Sequence, residues 1–157
     1  MIFIFFFISC ESEKSNLILV ADTGQTQGTY YHIKYMIEDG KSLKNDIDSL
    51  LTVIDNSLST YNPNSLVSKI NMGELITTDS MFRTVFRAAN EVYKNTNGAF
   101  DCSITPLVNA WGFGFSNKEK MDTARVIELL SLVDFKKIKL SNDTISIKKD
   151  MMLDFNS

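Results

Sequence analysis

Residues 28–58 read GTYYHIKYMIEDGKSLKNDIDSLLTVIDNSL, and the change of period inside this stretch decides the fold class. Thr29, Tyr31, Ile33, Tyr35 and Ile37 occupy every second position, which places them on one face of a β-strand. Asp39-Gly40 breaks the alternation. Ser42 then stands where a helix cap is wanted, and Leu43, Ile47, Leu50, Leu51, Ile54 and Leu58 follow at helical spacing. The helix is expected to end near Ser57. A strand giving way so soon to an amphipathic helix points to an α+β domain.

The reading extends towards the C-terminus. Asn62-Pro63-Asn64 marks a turn in the loop from Ser59 to Asn64. A short helix is expected over 65–71. Asp79 or Ser80 caps a long helix with Phe82, Val85, Phe86, Ala89, Val92 and Tyr93 inward, and Asn97-Gly98 closes it, because glycine enters the left-handed region freely. Ala99 to Phe115 reads as irregular chain rich in large apolar groups. Asp122 caps a third helix carrying Val126, Leu129, Leu130 and Val133. Ile138 and Leu140 pair with Ile145 and Ile147 across Ser141-Asn142-Asp143-Thr144, a hairpin. Met151 to Phe155 reads as an apolar strand. The whole predicts an α+β fold with a mixed, largely antiparallel sheet and packed helices. An apolar strand so close to Ser157 suggests the N-terminal part of a longer, truncated domain.

Towards the N-terminus, Ile2 to Ile8 is an unbroken apolar run, far short of the roughly 20 residues that span a bilayer. It fits the hydrophobic region of a signal peptide, and Ser9-Cys10 resembles a lipobox in which Cys10 would be lipidated. No positive charge precedes Cys10, so an ordinary signal sequence or a buried strand stays open. Residues 1–10 are thus read as a lipoprotein-type signal, 11–22 as a polar tether and 23–157 as the domain. The expected location is the periplasmic side of a bacterial membrane. A net charge of −3 argues against a nucleic-acid binder that works through a basic surface. The two cysteines, Cys10 and Cys102, have neither disulfide-framework nor metal-site spacing.

Three segments carry candidate chemistry: Gly24-Gln25-Thr26-Gln27-Gly28-Thr29; Leu58-Ser59-Thr60-Tyr61-Asn62-Pro63-Asn64-Ser65; and Thr96-Asn97-Gly98-Ala99-Phe100-Asp101, running through Cys102 and Pro106 to Trp111-Gly112-Phe113-Gly114. Gly28 alone reads as a turn or as a place where a ligand nears the backbone. Tyr61 can stack on a planar ligand or pack at the edge of the core. Trp111, beside Ala110 and Gly112, has the neighbours of a lid. The lone His32 falls on the polar phase of its strand and has no orienting partner in sequence.

In this order the three segments resemble those of ApbE-type FAD:protein FMN transferases, and the resemblance runs from about Gly24 to Ser157. It implies an enzyme that moves FMN from FAD to a threonine hydroxyl of a partner protein, with Mg²⁺ and release of AMP. Gln27, where the family often has Met, would line the flavin site, and Tyr61 would pack on the flavin. Ala99, Phe100, Asp101 and Asp154 would contact FAD, and the backbone carbonyl of Ser157 would help hold Mg²⁺. The partners implied are an acceptor subunit of a redox complex and, through Cys10, the membrane. Further metal ligands of the family have no counterpart up to Ser157, so the chain alone is expected to be inactive and its catalytic residues are not identified. The alternatives are a Mg²⁺-dependent FAD pyrophosphatase and a flavin-binding lipoprotein without turnover.

Overall fold

The computed structural model describes residues 16–114 and 117–156. The chain divides into two compact units, 1–48 and 49–157. The expectations for Cys10 and Ser157 lie outside the described residues. Among the described residues no helix is long and apolar enough to cross a membrane.

The first unit is an antiparallel hairpin, β1 (Ile18–Thr26) and β2 (Thr29–Ile37), in register from Ile18↔Ile37 to Thr26↔Thr29. Its turn is Gln27-Gly28, with φ of 48° and 74°. Two left-handed residues match the right-handed twist of the strands they join, so a glycine is wanted here for the turn itself. Ile18 to Asp22, read from sequence as the end of a tether, instead open β1. What anchors them is Asp22, which is buried. Its carboxylate accepts from Tyr35 Oη at 2.6 Å, Ser42 Oγ at 2.7 Å and Leu43 N at 3.1 Å. These bonds tie both strands to the entry of α1 (Lys44–Leu58), and Ser42 Oγ also accepts from Lys44 N. At the boundary residue of the unit, Tyr31 Oη donates to Asp48 Oδ1, and Lys44 Nζ pairs with Asp48 Oδ2 at 2.6 Å.

The second unit holds the core. Its elements are the end of α1, α2 (Leu66–Asn71), α3 (Ser80–Asn95), α4 (Thr105–Ala110), α5 (Thr123–Leu130), and the hairpin β3 (Lys139–Ser141) and β4 (Thr144–Ser146). Asp79 caps α3 by accepting from Phe82 N at 2.7 Å, and Asp122 caps α5 through Arg125 N, as the sequence predicts. Phe82, Phe86, Ala89 and Tyr93 of α3 are buried, whereas Val92, expected inside, is exposed. Phe86 and Tyr93 meet Phe135 at 4.8 and 5.8 Å between ring centroids, and Phe82 meets Phe155 edge-on at 5.4 Å. The hairpin takes its predicted register, Leu140 opposite Ile145. The architecture is the expected combination of packed helices and antiparallel strands.

Two local expectations need correction. The stretch from Ala99 to Phe115 is not wholly irregular, because Pro106 sits in the first turn of α4, where its missing N–H costs nothing. Met151 to Phe155 is not a strand. Met151 and Leu153 are buried as expected, but a side chain satisfies the backbone instead of a neighbouring strand. Asn71 Nδ2 donates to Leu153 O at 2.8 Å, and Leu153 N donates to Asn71 Oδ1 at 2.8 Å. One amide side chain thereby imitates one residue of a partner strand.

Candidate functional site

The third sequence motif is locked by a partly buried polar network. Asp101 Oδ1 accepts from Ser103 N at 2.8 Å and Ser103 Oγ at 2.6 Å, and Asp101 Oδ2 accepts from Phe135 N at 3.1 Å. Ser103, wholly buried, passes the link on by accepting from Asp134 N at 2.9 Å. Asp101 therefore fixes the loop that follows α3 against the turn entering the 3₁₀ segment Phe135–Lys137. Ser103 was not singled out from sequence. An aspartate followed two residues later by serine is the available signal, since that spacing allows a local side chain–backbone turn.

Cys102, between these two residues, is buried and free, and its thiol is pushed up to about 12. Burial is the main cause, with the charges of Asp101 and Asp154 adding to it. It packs as a small apolar residue of the core. Its carbonyl accepts from Asp154 N at 2.9 Å, which brings two of the predicted FAD contacts onto adjoining strands of chain. Asp154 Oδ1 accepts from Asn156 N and Nδ2, while Oδ2 takes no hydrogen bond among the described residues.

The Tyr61 loop joins the same construction through α2. Ser65 caps α2 by accepting from Ser68 N, and Ser65 N donates to Asn62 O. Ser68 Oγ donates back to Ser59 O, and Asn71 at the far end of the helix holds Leu153. A six-residue helix thus links the Tyr61 loop to the chain bearing Asp154. Tyr61 is 80% exposed. Ala99 is exposed and Phe100 half-buried, packed against the core. Hydrogen bonds within the second unit thus link the segments that carry Tyr61, Ala99, Phe100, Asp101 and Asp154.

Gln27 belongs to the first unit, exposed at the tip of the β1–β2 turn. Gly24 faces Tyr31 across the hairpin, and a Cβ there would lie 2.5 Å from the Tyr31 ring. His32 is exposed. Trp111 is partly exposed, with Lys118 Nζ 5.9 Å from its ring centre, and Gly112 has φ of 82°. Among the described residues no three His, Cys, Asp or Glu side chains come together as a metal site.

The ApbE family model matches residues 27–157. An FAD:protein FMN transferase of Vibrio cholerae is 38% identical over 99 residues, covering 59% of this chain and 30% of that protein. One of Haemophilus influenzae is 31% identical over 147 residues, 86% of this chain and 41% of that protein. The crystal structure of Pseudomonas stutzeri flavinyl transferase ApbE in its apo form superposes with a TM-score of 0.81 at 27% identity, over 92% of this chain and 49% of that one. The flavin transferase ApbE from Vibrio cholerae gives a TM-score of 0.77 at 28% identity, over 88% of this chain and 48% of that one. The chain spans less than half the length of these relatives. A family-model match over residues 27–157, together with the shared fold, shows that the chain belongs to the ApbE family.

Proposed function

We propose that the protein acts as an FAD:protein FMN transferase. The observation that carries the reading is the joining of the Tyr61 loop, the Ala99–Asp101 segment and Asp154 by α2, Asn71 and the Asp154–Cys102 bond. The second and third motifs of the sequence and Asp154 fall on one connected framework within the second unit, in a fold shared with flavin transferases.

The residues present suit the flavin end of such a substrate. The exposed Tyr61 ring can stack on a planar isoalloxazine, and Phe100 can support it from a packed position. Asp101 has both carboxylate oxygens committed to the chain's own donors, so its part is to hold the loop in shape. Asp154 keeps one oxygen for a hydrogen-bond donor of the ligand. In the reaction the acceptor threonine oxygen would form a bond to the FMN phosphorus as the bond to the AMP oxygen breaks. The threonine proton leaves to solvent or a base, and catalysis is mainly positioning and charge neutralisation. Mg²⁺ would supply that neutralisation, though among the described residues no three His, Cys, Asp or Glu side chains come together to hold it. Cys10 would anchor the protein on the outer side of a bacterial membrane, where an exported redox subunit carries the acceptor threonine. This last part rests on residues 1–10 of the sequence alone.

The test is incubation of the purified protein, with any continuation of its reading frame, with FAD, Mg²⁺ and an acceptor polypeptide. AMP is followed by chromatography and covalent flavin by in-gel fluorescence. Acceptor-dependent AMP release with protein-bound flavin is the expected result. AMP release without acceptor labelling would mean a pyrophosphatase, and FAD binding without AMP would mean a flavin carrier.

A further inference from the structure

The outer face of α3 carries Arg83, Arg87, Asn90 and Lys94 at positions i, i+4, i+7 and i+11, one continuous stripe of a helix. Across from it stand Lys136 and Lys139, and between the two walls lies a cleft of about 500 Å³ floored by Phe86 and Phe135. None of the residues predicted to contact flavin lines this cleft.

Its charge is one-sided. The single acid in the lining, Asp143, is already paired with Arg83 at 3.4 Å. Lys136 Nζ lies over the Tyr93 ring at 5.6 Å. Arg87, Lys94 and Lys139 form no ion pair among the described residues. Four cations facing one neutralised acid, in a chain of net charge −3, make a local positive field that an anionic partner would relieve.

The backbone gives that partner a shape. β3 pairs only with β4, and no other backbone hydrogen bond involves residues 139–141 among the described residues. Ile138, Lys139 and Leu140 line the cleft, so an unpaired strand edge runs along it. The stripe from Arg87 to Lys94 is about 10 Å long at 1.5 Å per helical residue, the reach of three to four residues of extended chain. We propose that this cleft docks an extended acidic segment of a partner polypeptide. The segment adds to the edge of β3 while its carboxylates meet Arg87, Lys94, Lys136 and Lys139. The inference does not depend on the FMN-transfer reading.

The probe is fluorescein-labelled hexaglutamate, titrated by fluorescence anisotropy at low and high salt. Binding is expected at low salt, weakened about tenfold or more in Arg87→Glu/Lys139→Glu, because exposed charge pairs are screened and repulsion replaces attraction. Both positions are exposed, and circular dichroism checks the fold. Should the double variant misfold, Arg87→Gln/Lys139→Gln gives a smaller loss of the same sign. A hexaglutamate methylated on alternate backbone nitrogens keeps its charge and loses edge pairing, so it should bind more weakly. The proposal is overturned by absent binding, by equal binding to the charge variants, or by equal binding of the methylated peptide. It is overturned too if inorganic pyrophosphate binds the cleft and hexaglutamate does not displace it.

Discussion

Replacing Asp101 by asparagine keeps the size of the side chain and removes one acceptor. The amide oxygen can still serve Ser103 N and Ser103 Oγ, whose bonds to Asp101 are 2.8 and 2.6 Å. The amide NH₂ then faces Phe135 N–H, where Asp101 Oδ2 now accepts at 3.1 Å, and two donors oppose each other. A lost hydrogen bond to a charged group is worth about 1.5–3 kcal/mol. The two that survive fall from charge-assisted to neutral, at roughly half the strength. Because Asp101 is half-buried, part of this is returned by solvent, and a net loss of about 2–4 kcal/mol is expected against a typical 5–15 kcal/mol for a domain. Urea denaturation followed by circular dichroism reads this as a midpoint lowered by about 1–2 M for an ordinary slope. A shift below about 0.5 kcal/mol would refute the assignment of Asp101 as the lock of this loop. So would a folded variant that has lost FAD affinity about tenfold, since a lock acts on binding only through the fraction folded.

Four further outcomes follow from the same geometry. Asn71→Ala removes both bonds to Leu153 and should cost about 2–4 kcal/mol in the same denaturation experiment, with the buried Leu153 amide left unpaired. Tyr61→Ala should change stability by less than about 1 kcal/mol, because the ring is exposed, yet weaken FAD about 2–10-fold in a flavin-fluorescence titration. Cys102 should resist thiol reagents in the native protein at mildly alkaline pH and react once denatured, as peptide mapping would show. Its folded-state pKa is raised to about 12, so its stabilising share is present below the ordinary thiol value of 9.0 and is lost as pH rises towards 12. Asp22 is the opposite case. Hydrogen bonds from Tyr35 and Ser42 hold its carboxylate low, so its share is present above the unfolded-state value and is lost as pH falls through the folded-state one. Asp22→Asn should flatten that acid limb in hydrogen-exchange protection of β1.

What the sequence made legible was what local periodicity and caps control. The β2 alternation, the α3 stripe, the Asp79 and Asp122 caps and the Leu140–Ile145 hairpin all follow from neighbours in the chain. What it left hidden depends on distant partners. β1 lacks a clean apolar period because one of its inward residues is Asp22, made tolerable only by Tyr35, Ser42 and Leu43. Met151 to Phe155 has strand composition, but its backbone finds an asparagine side chain 82 positions away in sequence rather than a strand. The candidate site divides in the same way. Its residues could be named from motif order, but their roles could not, because a carboxylate that holds a loop and one that meets a ligand look alike in sequence.

That division changes how the motif residues should be weighed. Asp101 spends both oxygens inside the protein and Asp154 spends one, although the two lie on chain joined by a single backbone bond at Cys102. An isosteric amide at Asp101 should thus be paid for in folding. The same change at Asp154 leaves Asn156 an acceptor and removes only charge from a half-buried group, so it should be felt in ligand affinity with little change in stability. The two variants measured side by side separate scaffold from contact, because denaturation and FAD titration should rank them in opposite orders. If Asp154→Asn unfolds the protein while Asp101→Asn leaves it stable, the framework traced from Tyr61 through α2 to Phe135 has been assigned backwards.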